Sequence, residues 1–110
     1  MSILETNKID LVGTRPESSV VRLVIADHLD WSDFDDHAQL VQAKVNTYLE
    51  FVESGQMRRL KDPPIPPDFR VEVLLAAQYP PSDAGREFLE QVRRFLEGAG
   101  IAFLVEAKAP

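Results

Sequence analysis

Apolar positions near the start of the chain alternate with period two. Ile9, Leu11 and Val12 begin a short run that ends at Gly13, and Ser19 to Ala26 forms a second. In the second run Val21, Leu23 and Ile25 share one face, and Val20, Arg22, Val24 and Ala26 share the other, which is strand spacing. Thr14-Arg15-Pro16-Glu17-Ser18 between them is turn chemistry, because proline fixes φ and has no N–H for a central strand. The pattern predicts a β-hairpin. Its second strand is apolar at most positions of both faces, so it is expected inside the sheet.

The period then changes to steps of three and four. Phe34, Ala38, Val41, Val45, Tyr48, Leu49 and Val52 form one helical stripe, widened by Leu40, Lys44, Thr47 and Phe51. Ser32 and Asp35 have capping-box spacing, and Asp33, Asp35 and Asp36 oppose the exposed N–H dipoles of the first turn. Gly55 is a natural terminator. Roughly 20 residues at about 1.5 Å each make a helix of about 30 Å. The segment 56–68, QMRRLKDPPIPPD, then forbids helix with prolines at 63, 64, 66 and 67 and predicts an extended, polyproline-like loop.

Alternation returns from Phe69 to Tyr79, with Val71, Val73, Leu75 and Ala77 on one face, until Pro80-Pro81 stop the strand. Ser82 or Asp83 caps a second helix with the stripe Phe88, Leu89, Val92, Phe95, Leu96 and Ala99. Gly98 and Gly100 end it, and Ile101 to Val105 is a fourth strand. The order is β-β-α-β-α-β in one domain, residues 1–110, with 1–7 and 107–110 expected to fray. Right-handed crossovers make strands two to four parallel, with the first antiparallel at an edge. The expected fold is α/β, an α+β two-layer sandwich: a four-stranded mixed sheet, an N-terminal hairpin and two helices on one face. The partly apolar second faces of strands two and three suggest a surface for self-association.

Composition narrows the partners. Eighteen acids against 12 bases give a net charge of −6, which argues against nucleic acid and anionic membranes. The chain has no Cys, which excludes disulfides, zinc–thiolate sites and thiol nucleophiles. The start, MSILETNKIDLVG, has neither a basic opening nor a long apolar run, and no run is long enough to span a bilayer. A cytoplasmic protein is the expectation.

Candidate chemistry gathers at the acidic turn. Asp27, Asp30, Asp33, Asp35 and Asp36, with His28 and His37, offer many hard ligands at the carboxyl end of a strand, where α/β sheets bind ligands. The spacing fits neither an EF-hand nor a zinc motif, and helix-start acids in a solvated turn explain it more simply. His37 with Asp27 forms a possible acid/base pair, although a His that packs or caps is the simpler reading. The serines read as turn and cap groups, and the five glycines are scattered, so no nucleophile elbow, phosphate loop or cofactor motif is present. Trp31 is either an interface anchor or a lid on the core. Met57-Arg58-Arg59-Leu60-Lys61 offers three bases to an acidic ligand, and Pro63-Pro64-Ile65-Pro66 is formally a PxxP ligand; a solvated connector explains both.

The runs Ile25-Ala26-Asp27-His28-Leu29-Asp30-Trp31, His37, Leu40 to Gly55 and Gly85-Arg86-Glu87-Phe88-Leu89 resemble a family of small bacterial proteins catalogued only as a domain of unknown function. The resemblance spans nearly the whole chain and implies a bacterial protein. It brings no catalytic residue, cofactor, metal or substrate. The expectation is a non-enzymatic protein-binding or self-associating module, a homodimer or one with an unknown protein partner. Its surface would use Asp27, His28, Asp30, Trp31 and His37. The alternatives are a metal-dependent or acid/base enzyme centred on Asp27, His28, Asp30 and His37, and an immunity-type inhibitor of a basic toxin.

Overall fold

A computed structural model of the chain describes residues 3–15, 19–59 and 69–107. Strand β1 (Leu11–Arg15) pairs antiparallel with β2 (Val20–Asp27). Helix α1 (Phe34–Glu53) leads through a 3-10 turn (Gln56–Arg59) towards β3 (Arg70–Ala77), and α2 (Asp83–Gly98) leads to β4 (Ala102–Ala107). The sheet order is β1-β2-β3-β4, and β2, β3 and β4 are mutually parallel. This is the expected four-stranded mixed sheet with two helices, in the order β-β-α-β-α-β. Each parallel crossover steps to the next strand in the same direction, so both helices lie on one face. Val21, Leu23, Ile25, Val73, Leu75 and Phe103 meet Val41, Val45, Tyr48, Leu89, Val92 and Leu96 in a single core.

Several boundaries move for identifiable reasons. The first strand starts two residues after Ile9 and runs through Gly13, because the ladder closes Arg15 against Val20 and continues to Leu11 against Val24. Thr14 and Arg15, expected in the turn, are strand residues; 16–18 lie outside the described residues. The cap of α1 is Asp33, whose carboxylate accepts from the Asp36 N–H, and not Ser32, whose hydroxyl is committed to Asp30. Gly55 takes the left-handed conformation (φ 80°) just past the Ser54 cap, as a C-terminal stop requires. Ser82 caps α2 by accepting from the Gly85 N–H. That helix turns Gly85, Leu89, Val92 and Leu96 to the sheet, which leaves Phe95 and Ala99, expected in the stripe, exposed.

Residues 3–7, which belong to the stretch 1–7 expected to fray, are held against α1 together with Lys8. Ile3 is fully buried, Lys44 Nζ donates to the carbonyls of Glu5 and Lys8 (2.7 Å each), and the Thr47 hydroxyl donates to the carbonyl of Thr6. Ala107 ends β4, and 108–110 lie outside the described residues. Of the basic and proline-rich segment, Met57 is buried in the core and 60–68, with the PxxP sequence, lie outside the described residues. Among the described residues, no helix is long and apolar enough to cross a membrane.

Candidate functional site

Strand parity carries Asp27 inward. It is the last residue of β2 and shares the buried face with Val21, Leu23 and Ile25, so its carboxylate points beneath the helices. Helical parity carries His37 towards it, because residues 37, 41, 44, 45 and 48 form the buried stripe of α1. The two side chains meet at 2.6 Å, His37 Nε2 to Asp27 Oδ2, with both almost fully buried. Asp27 Oδ1 accepts the Leu29 N–H at 3.2 Å, and the Gln78 N–H donates to the Asp27 carbonyl, so the strand end is tied to β3 as well. His37 Nδ1 is buried with no hydrogen-bond partner among the described residues.

Trp31 covers the pair. Its ring stacks on the His37 imidazole at 3.8 Å between centroids, and it lies 6.5 Å from the Phe34 ring, which meets Phe88 edge-on at 6.1 Å. The indole is 8% exposed and belongs to the core, so it closes the sheet end and is not displayed. Its Nε1 is likewise buried without a partner among the described residues. The first turn of α2 presses on the indole: a Cβ placed on Gly85 would stand 2.8 Å from Trp31 Cε3.

The remaining members of the acidic turn face solvent. His28, Asp30, Asp33, Asp35 and Asp36 are exposed. Asp30 accepts from the Ser32 N–H (3.1 Å) and the Ser32 hydroxyl (2.6 Å), and these bonds hold its carboxyl below the ordinary range. The structure thus brings Asp27, Trp31 and His37 together and leaves His28 and Asp30 outside. Among the described residues, no group of three or more His, Asp and Glu side chains is gathered to hold a metal ion.

A second buried polar cluster was not anticipated. Lys44, counted on the helix's apolar face, is fully buried and donates to Asp10 Oδ1 at 2.8 Å as well as to the two carbonyls of the N-terminal segment. Asp10 Oδ2 accepts the Ala26 N–H, and the Asp10 N–H donates to the Tyr48 hydroxyl, which in turn donates to the Val24 carbonyl. Burial pushes the Tyr48 hydroxyl above its ordinary pKa of 10.0, and the neighbouring Asp10 carboxylate adds to the rise. The signal was present in the sequence: Lys44 sits three residues beyond Val41 and four before Tyr48, on the buried stripe. All three ammonium donors are occupied, which makes this cluster a structural tether.

The sequence profile described as "Family of unknown function (DUF6572)" matches residues 1–109 of the 110-residue chain. The chain belongs to DUF6572. No curated protein and no solved structure matches it. For this DUF6572 protein, the geometry of the turn is therefore the basis for a functional reading.

Proposed function

We propose that the protein is a non-enzymatic interaction domain that presents the rim of the acidic turn to a basic protein partner. The observation that carries this reading is the division of the turn into two layers. Asp27, Trp31 and His37 are buried and joined beneath it, while Asp30, Asp33, Asp35 and Asp36 are exposed above. A rim fixed from below loses little conformational freedom on binding, and its charge steers a cationic surface. An immunity-type inhibitor of a basic toxin is one form of this function.

The test is calorimetric titration with an arginine-rich peptide as probe, followed also by emission of Trp31, the sole tryptophan. Saturable, salt-sensitive binding is expected. It is lost when Asp30, Asp33, Asp35 and Asp36 become Asn, which preserves the Asp33 cap. It is retained when the exposed Glu50, Glu53, Glu87 and Glu106 become Gln. Equal weakening in the two variants would show a bulk charge effect and remove the reading.

The acid/base alternative has one specific support, the 2.6 Å Asp27–His37 contact with an Nδ1 that has no hydrogen-bond partner among the described residues. It requires a ligand to reach that nitrogen past Trp31. Imidazole nitrogen resonances of His37 that stay unmoved through divalent-ion and small-carboxylate titrations would leave this alternative without support.

A further inference from the structure

Strand β4 is an edge. Among the described residues it pairs only with β3, and its sequence, Ala102-Phe-Leu-Val-Glu-Ala, has no Lys, Pro or Gly to discourage another strand. Leu104 and Val105 are 43% and 39% exposed there. Helix α2 runs beside this edge. Arg86, Glu90 and Arg93 line the groove between the helix and Phe103, Leu104 and Val105, and Glu97 continues the row by holding Arg93 at 2.8 Å.

The order of charges in that row is self-complementary. Read along α2 it is Arg86, Glu90, Arg93, Glu97. Turned end for end, Arg86 meets Glu97 and Glu90 meets Arg93, and both pairs share one midpoint, between Gln91 and Val92. The middle of β4 is Leu104–Val105. An antiparallel β4–β4 pair about a two-fold axis normal to the sheet matches one of these residues with itself, because opposed residues share a face. The same axis sets α2 of the two copies end for end on one face of the joined sheet, as an isologous contact needs.

We propose that the protein forms a two-fold homodimer. In it β4 pairs antiparallel with β4 of a second copy, and the Arg86–Glu97 row of α2 packs against the same row of that copy. The two sheets join into one of eight strands, which covers the flank of β4 at Leu104 and Val105 and supplies partners to main-chain groups that have none among the described residues. This surface is separate from the acidic turn, and the dimer stands or falls independently of that turn's function.

Sedimentation velocity of the full chain over a concentration series tests it. Wild-type chain is expected at twice the 12.4 kDa protomer mass. R86E/R93E makes the row wholly acidic and E90R/E97R makes it wholly basic. Each alone should weaken self-association by about tenfold or more through like-charge contact, and an equimolar mixture of the two should restore the dimer. Val105→Lys, which places a charge on the edge and leaves the helix row intact, should also give monomer. Wild-type protein that stays at the protomer mass throughout overturns the proposal. So do charge variants that remain dimeric, or folded variants, by circular dichroism, that fail to recombine.

Discussion

Gly85 and Trp31 define each other's positions. The indole fits between the His37 ring and the first turn of α2 only because residue 85 has no Cβ. A methyl group at 85 meets the rigid edge of a bicyclic ring that is already stacked on its other face. Gly85→Ala should therefore destabilise the protein by about 1–3 kcal/mol, the usual cost of overpacking, despite the better helix propensity of Ala. Trp31→Phe relieves the clash, so the double variant should lose less than the two single changes added together. Urea denaturation of the four proteins measures the coupling. Additive losses would mean that α2 shifts freely away from the turn. The Asp27–His37 contact was legible in the sequence: strand parity extended one residue past Ala26 and helix parity extended back from Val41 both point inward. The Gly85 contact was not legible, because no periodicity in one helix reports what approaches it from another element.

At the scale of elements, α1 shows how a helix with a modest apolar stripe is held in place. Two of its buried positions, His37 and Lys44, are polar, and each is tied to a different part of the chain: His37 to the Asp27 carboxylate at the end of β2, and Lys44 to the Asp10 carboxylate and two carbonyls of the segment before β1. Helix α2 has a cleaner stripe, Leu89, Val92 and Leu96, packed on the sheet. Element types and order followed from period, proline and caps. The docking of residues 3–8 did not, because it depends on two donors of a lysine, a residue type usually at the surface, and on the Thr47 hydroxyl. Lys44→Ala leaves Asp10 charged and buried without its partner, which should cost about 3–5 kcal/mol. Lys44→Met with Asp10→Asn removes the charge as well as the partner and should cost less than the sum of the single changes. Chemical denaturation reads both. Protease cleavage within residues 3–8 of the Lys44→Ala protein, at sites protected in wild type, reads the loss of docking directly.

At the scale of the whole molecule, Tyr48 is where three parts of the fold join. Its hydroxyl donates to Val24 in the interior strand and accepts from Asp10 ahead of β1, while its ring lies in the core beneath α1. Unfolding any one of these parts exposes it, so its ionisation reports on the folded state as a unit. The folded pKa is raised above the ordinary 10.0 by burial and by the Asp10 carboxylate. A group with a raised folded pKa contributes stability that is fully present below its unfolded pKa and is lost as pH rises towards the folded value. Global stability should therefore fall as pH climbs above about 10, as the unfolded chain releases a proton that the folded chain keeps. Tyr48→Phe should be less stable at neutral pH by about 1–3 kcal/mol, because the Val24 carbonyl and the Asp10 N–H lose a buried partner. Its stability should also decline less steeply above pH 10 than that of wild type. Denaturation midpoints across the alkaline range, with tyrosinate absorbance recorded in parallel, separate the two effects. Parallel slopes for wild type and Tyr48→Phe would show that other groups set the alkaline limit and that the Tyr48 junction titrates alike in the folded and unfolded chains.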